Sequence, residues 1–131
     1  MPAYPTDPDC VFCKIVAGQI PSYKLYEDEA TLAFMDINPL HPGHALVVAK
    51  GHYPDLYATP DAVLAAAVKG ARRVASAVRD ALEPDGLNLV QANGPGAAQS
   101  VPHLHLHVLP RRLGDDAKMN WGIRPGDRAA I

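Results

Sequence analysis

The sequence predicts an α+β fold: a mainly antiparallel sheet of about five strands with one long helix and a short amino-terminal helix. Three observations carry that prediction. A single stretch, about 59–82, repeats its apolar residues at the 3–4 spacing of a helix. Short strand-like runs lie on both sides of it, each bounded by Gly, Pro, Asn or Asp. No internal repeat or domain boundary breaks the pattern, so 1–131 is expected to be one domain of two packed layers.

The elements follow in order. "MPAYPTDPDC" is proline-rich and acidic and is expected to be a loose tail over residues 1–9. "CVFCKIVAGQIP" places Val11, Phe12, Ile15 and Val16 on one stripe, which predicts a short helix stopped by Gly18 and Pro21. Runs 23–27 and 31–36, with a turn around Asp28 and Glu29, predict a β-hairpin. "INPLHPGH" is a loop. "HALVVAK" is continuously apolar, as in a strand covered on both faces. The long helix begins with Thr59 as the expected cap and Pro60 and Asp61 in the first turn. Its apolar face comprises Val63, Leu64, Ala67, Val68, Ala71, Val74, Ala75, Val78 and Leu82. Gly70 interrupts that helix, and a close approach to the sheet would account for it. "GLNLVQAN" predicts a strand, "GPGAAQS" a small-residue loop, and "VPHLHLHVLP" another strand. The tail over 113–131 is irregular by pattern.

With 48% hydrophobic and 20% charged residues, the 131-residue chain is long enough for its own core and is not of disordered composition. A net charge of -2 offers no electrostatic reason for nucleic-acid or membrane binding. No stretch has the pattern of a signal peptide or a membrane span, so the expected location is the cytoplasm. The partner is expected to be small.

"HLHLHVLP" carries half of the chain's six histidines at alternate positions, His103, His105 and His107. On a strand these share one face, about 7 Å apart, with Leu104, Leu106 and Val108 on the other. A lone strand histidine is usually structural, but three in alternation are hard to satisfy that way when buried. Three imidazoles can hold zinc with an open coordination position. The preceding loop "NGPGAAQS" favours a second reading. Its small residues permit close backbone approach, and Asn93, Gln99 and Ser100 supply polar groups that suit a phosphate. Neutral imidazole is a competent nucleophile at phosphorus.

"CVFC" gives Cys10 and Cys13 a Cys-x-x-Cys spacing. A redox pair, half of a metal site and two small buried residues all remain open, although the βαβ context of a thioredoxin-like pair is missing.

"HLHLHVL" fits the His-φ-His-φ-His-φ-φ signature, and the chain resembles the histidine triad (HIT) superfamily of nucleotide hydrolases and transferases. "CVFCKIVAGQIPSYKLYEDEATLAFMDINPLHPGHALVVAKGHY" and "GLNLVQANGPGAAQSVPHLHLHVLPR" resemble the two halves of its nucleoside-phosphoramidase-like branch, across about residues 10–112. The resemblance implies that His105 attacks the α-phosphorus of a purine nucleoside phosphoramidate, with AMP as product. It implies that His103 and His107 orient the site and contact phosphate, and that His44 of "PGH" supports the triad. Ser100 would sit near the leaving group, and Asn93 and Gln99 near the phosphate. Asp36 would accept hydrogen bonds from the ribose hydroxyls, beside Ile37. Phe12, Ile15 and Phe34 are candidates for the base pocket and, taken singly, equally good core residues. Similarity to bacterial members implies a structural zinc on Cys10, Cys13, His52 and His103, no organic cofactor, and a homodimer.

The chain departs from the family at three places: Ala98 where glycine is common, Pro102 before the triad, and the tail beyond Arg112. Diadenosine polyphosphates are an alternative substrate class. A non-catalytic nucleotide-binding scaffold and a thiol-based redox protein are alternatives of other classes.

Overall fold

The computed structural model describes residues 3–117 together with 126, 127 and 129. Of the expected irregular tail, 118–125, 128, 130 and 131 lie outside the described residues. The elements are α1 (Val11–Val16), β1 (Lys24–Glu27), β2 (Thr31–Met35), β3 (Ala45–Ala49), α2 (Asp61–Leu82), β4 (Gly86–Val90) and β5 (His105–Arg111), with a 3-10 turn at Pro95–Ala97. The strands form one sheet in the order β1-β2-β3-β5-β4, with every neighbouring pair antiparallel. The expected α+β architecture is the one observed.

Strand alternation divides the core between two faces of this sheet. Ala33, Ala45, Val47, Leu106 and Val108 face α2, where they meet Ala67, Ala71, Val74 and Val78. Leu32, Phe34, Leu46 and Val48 face the opposite way and meet Cys10, Phe12 and Cys13 from the α1 segment. All five residues of β3 are buried, which is why "ALVVA" is apolar without alternation. In register, Val48 is opposite His105 and Leu46 opposite His107, so both histidines point to the α1 face.

Local chemistry explains the joints. The Asp28 carboxylate accepts hydrogen bonds from the main-chain N–H groups of Ala30 and Thr31 and from the Thr31 hydroxyl, closing the β1–β2 turn. Pro110 lies in β5 beyond the end of its pairing with β3, so its missing N–H breaks no bond on that side. Arg112 donates to the Leu82 and Glu83 carbonyls at the end of α2, satisfying acceptors the helix leaves open.

Four expectations change. Thr59 does not cap α2: Pro60 holds that position, and the Thr59 hydroxyl instead donates to the Asp55 carbonyl at 2.6 Å. Val68, assigned to the apolar face, is 54% exposed, because the buried stripe runs through Ala67, Gly70, Ala71, Val74 and Val78. Residues 5–9 are tied down rather than loose. The Pro5 carbonyl accepts from His52 N–H at 2.7 Å, and the Asp7 carbonyl accepts from Cys10 N–H at 3.2 Å. The last strand starts at His105, so His103 lies in the bend before it. Among the described residues, no helix is long and apolar enough to cross a membrane.

Gly70 is near the sheet but not jammed against it. A Cβ there would lie 3.4 Å from Thr31 Oγ1 and Val47 Cγ1, within ordinary contact. Gly70→Ala should therefore raise stability by about 0.5–1 kcal/mol through helix propensity, read as a higher urea midpoint with an unchanged m-value.

Candidate active site

Main-chain groups assign the protons on the buried imidazoles. A carbonyl can only accept, so His105 Nδ1, 2.7 Å from the His103 carbonyl, carries the hydrogen. The Nε2 of His105 is left with a free lone pair. His44 receives the opposite instruction: its Nδ1 accepts from Leu40 N–H at 3.1 Å, so its proton is on Nε2. That Nε2 is 2.9 Å from His107 Nδ1 and 3.4 Å from Asp36 Oδ2. His107 Nδ1 therefore accepts, and its own proton sits on Nε2. The result is one ring with a free lone pair beside another with an outward N–H, their centroids 5.1 Å apart.

Burial keeps these rings neutral. It pushes His105 and His44 below the ordinary imidazole range, with the Asp36 carboxylate opposing the shift in each. His107 is pushed down to about 4, first by burial and then by the neighbouring His105 and His44. Asp36, His44 and His107 have ligand atoms within 4.8 Å of one another. A metal there would need the Nε2 lone pair of His44, which the Leu40 N–H bond converts into an N–H donor. That cluster is a hydrogen-bond relay.

The rings open into a cavity of about 360 Å³. Phe12, Ile15 and Phe34 line its apolar side, while Asp36, Ser100, His105 and His107 line its polar side. Asp36 Oδ1 accepts from Asn38 N–H at 2.8 Å, and Ile37 stands at the rim, 79% exposed. A larger groove of about 460 Å³ lies between α2 and the β1–β2 hairpin. Its lining is apolar apart from Arg73 and the Tyr26 hydroxyl and contains no histidine, so the chemistry belongs to the smaller cavity.

Asn93 and Gln99 lie elsewhere. Asn93 Oδ1 accepts from Leu56 N–H and its Nδ2 donates to Gln91. Gln99 accepts from Gly94 N–H and donates to the Pro54 and Val101 carbonyls. Both amides shape the loop that delivers Ser100 to the cavity. Ala98 in that loop has φ 60°, a left-handed conformation that explains the preference for glycine. Its methyl strains the backbone there.

A second group forms beside the first. Cys10, Cys13, His52 and His103 have ligand atoms within 4.8 Å of one another. His103 Nδ1 is 3.3 Å from Cys10 Sγ and 3.6 Å from Cys13 Sγ, and His52 Nδ1 is 3.5 Å from Cys13 Sγ. These match the roughly 3.6 Å S···N edge of a tetrahedron with Zn–S about 2.3 Å and Zn–N about 2.0–2.1 Å. His103 Nε2 donates to the Ala49 carbonyl at 2.5 Å, which leaves Nδ1 as the free ligand atom. Burial holds this ring down to about 4. Burial also raises the Cys13 thiol, so a metal there would displace protons. The donor set and its proton arrangement fit zinc.

Several partners carried no sequence signal. The Leu40 N–H and the His103 and Ala49 carbonyls are main-chain groups that any residue but proline would possess. His41 Nε2 lies 3.3 Å from Asp115 Oδ2, just beyond the end of β5, without a hydrogen bond between them. Asp115 is in turn held far below the usual carboxylate range, chiefly by Arg111.

A histidine with a free Nε2, a second histidine beside it with an outward N–H, and a neighbouring Cys2His2 group against one antiparallel sheet define a histidine-triad type of protein. The chain belongs to the HIT family: the HIT domain model matches residues 17–114. Protein hit of Bacillus subtilis is 47% identical over 120 residues, covering 91% of this chain and 83% of that protein. The adenosine 5'-monophosphoramidase HNT1 of Saccharomyces cerevisiae is 42% identical over 106 residues, covering 81% and 65%. The crystal structure of a zinc-bound histidine triad family protein from Mycobacterium smegmatis superposes with a TM-score of 0.79 at 42% identity, covering 93% and 86%.

The buried neutral state of His107 has a consequence for stability. Its folded pKa of about 4 lies below the ordinary 6.5, so the unfolded chain takes up the proton first as pH falls. The contribution is complete above about pH 6.5 and is lost on the way to pH 4. Urea midpoints should fall over that window, and His107→Asn should show a shallower fall than wild type.

Proposed function

We propose that this chain is a nucleotide hydrolase or nucleotidyl transferase that acts at the α-phosphate of purine nucleoside phosphoramidates, with AMP as product. The observation that carries the reading is the free Nε2 of His105, set by the His103 carbonyl at 2.7 Å and facing a nucleotide-sized cavity. The similarity to a yeast adenosine 5'-monophosphoramidase supports the substrate class.

In this mechanism the nucleoside lies with its base against Phe12, Ile15 and Phe34 and its ribose hydroxyls on Asp36. The His105 Nε2 lone pair attacks phosphorus, forming an N–P bond as the bond to the leaving nitrogen breaks. His107 Nε2–H donates to a non-bridging oxygen as charge develops there. His44 holds His107 in that tautomer. The Ser100 hydroxyl passes a proton to the leaving amine. Water then attacks the nucleotidyl-histidine and gives a proton back to the Ser100 alkoxide as the N–P bond breaks, releasing AMP and restoring the neutral imidazole. Asn93 and Gln99 act through the shape of the Ser100 loop.

Cys10, Cys13, His52 and His103 would hold a structural zinc, which supplies a fixed tetrahedral junction and no open position for catalysis. The Mycobacterium smegmatis neighbour supports this assignment. The active form is proposed to be a cytoplasmic homodimer.

Two measurements test these readings. A labelled adenosine phosphoramidate in a single turnover should leave label on His105, and His105→Ala should lose at least about a thousandfold in kcat/KM. A folded wild-type protein that takes up no label and turns nothing over would instead favour a nucleotide-binding scaffold. Elemental analysis of purified protein should give one zinc per chain, and Cys10→Ser should lose most of it.

A further inference from the structure

The short helix α1 belongs to two sites at once. Cys10 and Cys13 bring their sulfurs to His52 and His103, while Val11, Phe12 and Ile15 from the same turn and a half line the cavity of His105. The Phe12 ring meets both histidines edge-on, 5.7 Å from His103 and 5.0 Å from His105. Six residues are too few to hold a helix by themselves, so packing and the cysteine contacts must place it.

His103 is the second shared part. Its ring belongs to the sulfur cluster, and its carbonyl 2.7 Å from His105 Nδ1 sets the proton on the nucleophile. The next residue's N–H, that of Leu104, donates to the carbonyl of Tyr53, the residue after His52. Whatever fixes the Cys2His2 group therefore fixes one wall of the cavity and the anchor of the nucleophile together.

Asp7 adds a support from outside the cluster. Its carbonyl accepts from Cys10 N–H, and its carboxylate Oδ2 lies 3.8 Å from His52 Nε2, the nitrogen turned away from the sulfurs. A carboxylate behind a metal-binding imidazole favours the tautomer that presents Nδ1 to the metal.

We infer that zinc on the Cys2His2 group and a nucleotide in the adjoining cavity bind cooperatively, through α1 and His103, with Asp7 as a positioning residue for the metal. The inference rests on the nucleotide reading above. Binding is mutual by linkage: the factor by which zinc tightens AMP must equal the factor by which AMP tightens zinc.

The experiment is a thermodynamic square. AMP is titrated by calorimetry into zinc-loaded and chelator-stripped protein, and zinc affinity is measured against a competing chromophoric chelator with and without AMP. AMP should bind stripped protein about tenfold more weakly, and zinc should tighten by the same factor when AMP is present. Asp7→Asn, which leaves the cavity lining intact, should weaken zinc. It should bind AMP like wild type at saturating zinc and like stripped protein at limiting zinc. Equal AMP affinities in loaded and stripped protein overturn the coupling and leave the nucleotide reading standing. Loss of the far-UV circular dichroism of the whole chain at limiting zinc also overturns it, since the metal would then serve the global fold alone. A loaded protein that binds no AMP overturns the nucleotide reading and this inference with it.

Discussion

The contact between the His103 carbonyl and His105 Nδ1, 2.7 Å long, is the constraint around which the rest of the site is organised. A carbonyl has no proton to give, so this contact decides which nitrogen of His105 is free. The Leu40 N–H does the reverse for His44, and the effect passes to His107. Neither partner is a side chain. The proton pattern is therefore a property of the backbone path, and it survives any substitution that leaves that path intact.

Holding the path is the work of the sheet and what lies on its two faces. One face is closed by α2 over an interior of small residues, among them Ala33, Ala45, Ala67 and Ala71. The other is closed by α1, whose contribution is aromatic and sulfur-bearing. Gly43 shows how little slack remains near the histidines. With φ 89°, a Cβ there would meet Leu82 Cδ1 at 2.5 Å, so the backbone entering His44 lies flush against α2. Asp115, bonded to Arg111 at the far end of β5, lies beside His41 of the same loop.

Electrostatics then follow from burial rather than from paired charges. Desolvation is the largest influence on His44, His103, His105 and His107 alike, and it drives each toward the neutral form. Neutral rings can divide into donors and acceptors, which charged rings cannot, since an imidazolium only donates. Asp36 is the carboxylate that reaches His44, and it softens the shifts of His44, His105 and His107 without reversing them.

Much of this was legible in the sequence, because period and punctuation are local properties. The helical spacing over 59–82, the unbroken "ALVVA" and the turn residues at Asp28 specified the sheet, its long helix and the short one at "VFCKIV". Alternation within "HLHLH" also announced that His105 and His107 share a face. The cap of α2 was misread because the first helical bonds go to the Pro60 carbonyl, which leaves Thr59 one residue outside the cap, and Val68 because a helix stripe is narrower than its apolar spacing suggests. Placing His103 on the same strand as His105 and His107 was the deeper misreading. His103 precedes the strand and turns its ring to Cys10 and Cys13, residues some ninety positions earlier in the chain. By itself, then, the sequence determined the elements and the inventory of reactive side chains, which depend on neighbours along the chain. Only the tertiary structure decided which imidazole nitrogen is free and which groups Asn93 and Gln99 bond. Those outcomes depend on carbonyls and N–H groups brought together across the fold, and such groups are the same in every residue but proline.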